Sequence, residues 1–319
     1  MDIESAAIKN RQHFLPNIQD PEFLKKVSLT PNNDQIKENG VSNSLYLKLS
    51  FDILSASFPS IFGQIFEMLV EITNILFVGH LNNPVALASV GLGNMVINIT
   101  SYSIGMGLNG AIDTLVTQAY GDKEYYLCGC YLNRGRIVQL LAWIPQIFIL
   151  LNTKSILMFL GQEEVTSAAA ETYVIVLMPG MFAMVQFEIV RRFLQGMTIF
   201  SLTMYIQLVM MILHFFWCYL FVFYLEYGLV GSAIATVITY TSDLVVVTLI
   251  LTFKEGIIPK ESWHFFNADS FRGLLEFLGY GIPAALMVCL EWWSFEFYAI
   301  YAGMLSINEL ASNVIFLNI

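Results

Sequence analysis

Charge is scarce in this sequence. Only 13% of its 319 residues are charged, against about 25% in a soluble domain, which excludes an ordinary water-soluble globule. Cysteine is scarce too. Four cysteines do not make a disulfide framework, and Cys128-Gly-Cys130 lacks the second pair that would complete a zinc site, so no metal is expected. Catalytic signatures are missing: there is no Gly-x-Ser-x-Gly, no Gly-Lys-Ser/Thr phosphate loop and no His-Glu-x-x-His. The sequence therefore presents no enzyme, and no cofactor is implied. No positively charged start leads into an apolar stretch, so a cleavable signal peptide is not expected. A net charge of −10 offers nothing for nucleic acid.

What the sequence does have is apolar runs. Hydrophobic residues make up 56% of it, and the mean hydropathy is +0.64. A bilayer span needs about 20 consecutive apolar residues. Scanning at that length gives Ile53–Val78, Ala86–Leu108, Ile137–Leu151, Thr172–Val190, Phe200–Leu225, Leu229–Phe253 and Leu274–Leu305, with an eighth beginning near Ile307. The third is the weakest, since Arg134 and Arg136 stand at its entrance and Pro145 interrupts it. The expected fold is an all-α polytopic membrane protein in contact with lipid. Residues 1–48 are rich in Asn, Asp, Glu, Lys and Gln and never reach membrane length, which predicts a disordered tail.

The basic residues set the expected orientation. Six lie in the tail or at its end. Lys123, Arg134 and Arg136 follow span 2, Arg191 and Arg192 follow span 4, and Lys254, Lys260 and Arg272 follow span 6. Only Lys154, between spans 3 and 4, falls on the other side. By the positive-inside rule the N-terminus is cytosolic. A G-protein-coupled receptor, the obvious rival with seven helices, holds its N-terminus outside and would invert this pattern.

Spans 1 and 7 match when shifted along the chain: Pro59 falls on Pro283, Glu67 on Glu291, Gly79 on Gly303, Leu81 on Leu305 and Asn94 on Asn318. Six spans separate the copies, so both face the same way, as parallel repeats about an axis along the membrane normal. The expected organisation is a tail (1–48), a six-helix lobe (49–254), a cytosolic linker (255–273) and the start of a second, incomplete lobe (274–319).

Several stretches together are similar to one family, the multidrug and toxin extrusion (MATE) transporters in their eukaryotic form. They are Phe77-Val-Gly-His-Leu81, Ile97-Asn-Ile-Thr100, Ala111-Ile-Asp-Thr-Leu115 with Gln118-Ala-Tyr-Gly121, Arg192-Phe-Leu-Gln195, Gly228-Leu-Val-Gly-Ser-Ala233 and Cys289-Leu-Glu-Trp-Trp-Ser-Phe-Glu296. The resemblance implies twelve helices in two lobes, so the second lobe reads as largely missing here. It departs at Gly196-Met-Thr-Ile-Phe-Ser, which lacks the family's usual proline.

The acids inside the spans are the candidate chemistry. A carboxylate at bilayer depth costs roughly 2.5–3.5 kcal/mol on insertion scales and is kept mainly for function. Glu291 and Glu296 lie in span 7, about 140° apart around a helix; the resemblance implies that both take part in proton or cation coupling. In span 1, Gln64, Glu67, Glu71 and Asn74 recur on one helical face. Glu67 and Glu71 are read as a second proton site, and Gln64 and Asn98 resemble cavity-lining polar positions of the family. Trp292, next to Glu291, is the aromatic expected at the cavity, where its face would suit a flat organic cation. Asp113, Thr114 and Gln118 are read as structural or gating residues at the cytosolic end of span 2. Glu188, one turn before Arg191 and Arg192, is expected to pair with one of them, and His80 and His214 are read as local hydrogen-bonding residues.

The expected function is export of small organic cations in exchange for protons, with sodium as the other candidate ion, by alternating access. The plasma membrane and an acidic organelle fit equally. Two alternatives stand beside it: an exporter of amphipathic or lipid-linked substrates, and a truncated, non-transporting protein that assembles with or interferes with a full-length relative.

Overall fold

A computed structural model describes residues 43–305, with side chains from 296 onward outside the description. The expected eighth span, the placement of the tail before residue 43 and the side chain of Glu296 therefore lie outside the described residues. All regular structure among the described residues is helical. Helix α1 spans Asn43–Gly79 and α2 spans Pro84–Ile97. A π-helical segment, Asn98–Tyr102, joins α2 to α3 (Ser103–Gly121). Then follow α4 (Tyr125–Leu150), the short α5 (Thr153–Phe159), α6 (Glu164–Gly196) and α7 (Ser201–Cys218). A second π-helical segment, Tyr219–Tyr224, ends α7 and leads to α8 (Gly228–Phe253). The connection from α8 holds a 3-10 turn, Lys260–Ser262, and the short α9 (Ala268–Phe271), and α10 runs Leu274–Leu305.

Among the described residues six helical stretches are long and apolar enough to cross a membrane, and a seventh arises if α4 and α5, bent by 59°, count as one span. Two expectations change. The second span does not end at Leu108 but continues through the π segment to Gly121, so Asp113, Thr114 and Gln118 belong to the span's own helix. The first helix starts at Asn43, inside the segment read as tail. A polar residue at a helix end satisfies backbone groups without breaking the helix, and hydropathy alone does not register it.

Local signals explain the breaks. Asn83 caps α2 by accepting from the backbone N–H of Val85 at 3.1 Å and of Ala86 at 3.2 Å, with Pro84 at the first helical position. Pro59, Pro145, Pro179 and Pro283 all sit inside helices, where neighbouring helices in a bundle make up for the lost backbone bond.

Helix α6 is the hub, with 72% of its apolar window enclosed against 17% for α10. One half of the core joins Leu115 and Val116 of α3, Ile189 and Phe193 of α6, Val247 of α8 and Phe277 of α10. The other joins Val70 of α1, Val90 of α2, Tyr173 of α6 and Ala233 of α8. Close approach depends on small residues. A Cβ at Gly180 would lie 2.9 Å from the Cα of Val237, and one at Gly107 would lie 2.3 Å from the Cα of Ala285. The second contact seats α10 on α3.

Candidate functional site

Helix α1 carries its polar residues as a stripe: Asn74 is buried and Glu67 half-buried, while Gln64 and Glu71 are exposed. Gln64, Glu67 and Glu71 line a cavity of about 340 Å³, together with Ile65, Met68, Asn98, Tyr102 and Trp292. Five residues singled out in the sequence thus meet at one place. Asn74, the next member of the stripe, instead donates to the Thr236 hydroxyl at 2.8 Å and accepts from the Cys218 thiol at 3.6 Å.

The π segment presents Asn98 and Tyr102 to the cavity. Its wider turn lets the Ser103 N–H bond back to the Asn98 carbonyl. Trp293 Nε1 donates to the Ile99 carbonyl at 2.9 Å, and Ser103 Oγ donates to the same carbonyl at 3.0 Å. Trp292, one residue earlier, sets its ring edge-on to Tyr102, centroids 5.0 Å apart. The adjacent tryptophans therefore divide two tasks, one at the cavity wall and one on the backbone of the bulge.

Behind Glu67 lies a second group of polar side chains. Glu67, Glu188, Gln207 and Asp243 line a small internal void of about 10 Å³. Arg191 donates through Nη2 to Glu188 at 2.6 Å, and its Nη1 stands 3.6 Å from Glu67. Glu188 pairs with the next turn of its own helix, as its spacing suggested. A third void, about 20 Å³, is lined by Glu71, Asn74, Asn94, Asn98 and Thr236 among others.

The remaining candidates are elsewhere. Asp113 pairs with Arg192, tying α3 to α6, while Thr114 and Gln118 are exposed on α3. Glu291 is exposed and does not line the cavity. The face of α10 that meets α3 carries Ala284, Ala285 and Cys289. His80 contacts the Leu76 carbonyl at 2.7 Å, and His214 the Thr239 hydroxyl at 2.9 Å. Among the described residues no group of three His, Cys, Asp or Glu side chains could hold a metal ion.

Two residues of the site were not read from the sequence. Tyr102 follows Asn98 by four residues, a same-face spacing that could have flagged it. The approach of Arg191 to Glu67 joins residues far apart in the chain and leaves no local signal.

The cavity carries two carboxyls, and no basic side chain lines it among the described residues. Chemically it suits a cation with an apolar body: carboxylates for the charge, Trp292, Tyr102 and Met68 for the surface.

The chain is similar to several known proteins. The MatE family model matches residues 59–220. Protein DETOXIFICATION 16 of Arabidopsis thaliana is 32% identical over 257 residues, which take in 81% of this chain and 52% of that protein. Multidrug and toxin extrusion protein 1 of Danio rerio is 32% identical over 261 residues, covering 82% of this chain and 44% of that one. The chain spans about half the length of the curated relatives it matches. The crystal structure of the eukaryotic MATE transporter AtDTX14 superposes with a TM-score of 0.79 at 27% identity, over 86% of this chain and 61% of that one. By the match over residues 59–220 and the shared helical fold, this chain belongs to the MatE family of membrane transporters, in its eukaryotic form.

Proposed function

We propose that the chain takes part in the export of small organic cations, exchanged for protons by alternating access. The observation that carries this reading is the cavity shared by Gln64, Glu67, Glu71, Asn98, Tyr102 and Trp292. It pairs carboxyls with aromatic surface, as a cation with a flat apolar body requires. A carboxylate that holds either a proton or an organic cation, but not both, is the minimum an antiporter needs. Glu67 and Glu71 supply it in this lobe. Glu291 of α10 supplies a further acid, exposed and outside that cavity.

The names of the relatives, multidrug and toxin extrusion protein among them, support a xenobiotic class of substrate. The distribution of lysine and arginine supports a cytosolic N-terminus. In that orientation Asp113 and Arg192, whose ion pair links α3 to α6, lie towards the cytosolic side.

Ethidium uptake into everted membrane vesicles tests the reading. Uptake should follow an imposed pH gradient, acid inside, and fall to the level of protein-free vesicles in Glu67→Gln and in Glu71→Gln. Uptake that ignores the gradient, or survives both substitutions, overturns it. Cysteines introduced at Lys123 and Lys154 test the orientation: a membrane-impermeant thiol reagent applied to intact cells should label the second and not the first.

A further inference from the structure

Three carboxyl groups and one guanidinium meet in the interior behind the cavity. Glu188 is 1% exposed, Arg191 4% and Asp243 6%. One guanidinium fork cannot saturate three carboxylates. The bonding is lopsided. Arg191 holds Glu188 at 2.6 Å but stands 3.6 Å from Glu67. Arg191 Nη1 and Nε are left without a hydrogen-bond partner, as are both oxygens of Glu67, one of Glu188 and one of Asp243. Glu67 faces the cavity on one side and this inner void on the other. Both oxygens of that carboxyl are buried, between the cavity that the Glu67 side chain lines and the protein's own cation 3.6 Å behind it.

We infer that Arg191 is a tethered internal cation that competes with a cationic substrate for Glu67 and so sets the affinity of the cavity. With the cavity empty, Nη1 closes the remaining gap to Glu67. With a cation on Glu67, the guanidinium withdraws onto Glu188, the carboxyl it already holds. The inference rests on the cation-transport reading above and adds to it a specificity-determining residue that lies outside the cavity.

The surroundings fit that role. The other groups facing the cluster are Gln207 from α7, Tyr240 and Asp243 from α8, Tyr102 from the π segment and Glu71 from α1 itself. All are acidic or uncharged at neutral pH. The neighbouring base, Arg192, is held by Asp113. Arginine suits the task better than lysine, because its rigid fork can hold one carboxylate while reaching a second. Without a resident competitor, a cation held by desolvated carboxylates would leave slowly. With one, release is an exchange of partners.

The test is the ethidium Kd of the full chain in nanodiscs, by fluorescence, for two substitutions that should act in opposite directions. Arg191→Met removes the competitor and should tighten binding about tenfold, the scale of one close charge pair. Glu188→Gln removes the place to which the guanidinium withdraws and should weaken binding by a similar factor. In Arg191→Ala, millimolar guanidinium ion, but not sodium, should return the Kd towards the wild-type value. A purely structural role predicts weaker binding in every variant, and that result, or no change, overturns the inference while leaving the cation reading intact. Where Arg191→Met is not monodisperse, Arg191→Ala decides instead: binding weaker than wild type, or a Kd that does not respond to guanidinium ion, refutes the proposal. A wild-type chain that binds no ethidium removes the cation reading and this inference with it.

Discussion

Trp292 and Trp293 show how much one step along a helix can separate. Trp292 keeps its ring at the cavity, against Tyr102. Trp293 spends its indole N–H on the Ile99 carbonyl at 2.9 Å, a carbonyl inside the π segment. The two should respond differently to substitution. Trp293→Phe loses one partly buried hydrogen bond, so it should cost about 1 kcal/mol of stability and lower the unfolding midpoint in detergent by a few degrees. Trp292→Ala keeps the bulge anchored but strips the cavity of its aromatic wall. Its ethidium Kd should rise by more than fivefold, on the order of 1 kcal/mol or more for a lost cation–π contact, with a smaller change in midpoint than its neighbour's. Equal effects on both properties would show that the tryptophans do not divide these tasks.

At the scale of helices, the contact between α3 and α10 depends on the absence of side chains. The Cα of Ala285 lies 2.3 Å from where a Gly107 Cβ would be, and a Cβ on Gly110 would meet the methyl of Ala284 at 3.0 Å. Packing of this kind is the usual means of bringing membrane helices together, since lipid offers no hydrophobic drive between them. Gly107→Ala should therefore force α10 outward and cost roughly 1–3 kcal/mol as overpacking. Gly91, on the same span, meets nothing within 4 Å. Gly91→Ala should be stabilising by about 0.5–1 kcal/mol through helix propensity alone. Thermal midpoints of the two variants, measured side by side, check the contrast. If both move the same way, the close contact is not what seats α10.

For the molecule as a whole, the connection between α8 and α10 is fastened rather than loose. Asn133 of α4 donates to the His264 carbonyl at 3.1 Å, and the His264 ring stacks on Tyr126 with centroids 4.8 Å apart. Tyr126 donates to Asp269 at 3.0 Å, and Trp263 Nε1 donates to Thr252 at 3.1 Å. Arg136 lies over the Trp263 ring at 5.1 Å. The linker thus ties α4 to the root of α10, where Phe277 enters the core. His264→Ala should release this strap. Hydrogen exchange across residues 260–272 should quicken about tenfold, the equivalent of about 1.4 kcal/mol, while exchange in α6 stays unchanged. A change spread evenly over the chain would mean that His264 supports the fold at large instead.

Much of this molecule was legible without coordinates because a bilayer makes errors of placement expensive. Long apolar runs had to be spans. The stripe of Gln64, Glu67 and Glu71 had to face protein, and the structure brings those three to one cavity with Asn98 and Trp292. Periodicity tells which residues share a face. It does not tell what lies opposite that face. Tyr102 reaches the cavity through a bulge whose register is held by Trp293, from another helix. Arg191 of α6 approaches Glu67 of α1 from a distant part of the chain. Glu291 matches Glu67 in the repeat, yet it is exposed and does not line the cavity. Composition and spacing settled which residues must be hidden from lipid. Which of them meet was set by helix crossings and bulge register, since those contacts join residues whose separation along the chain carries no period.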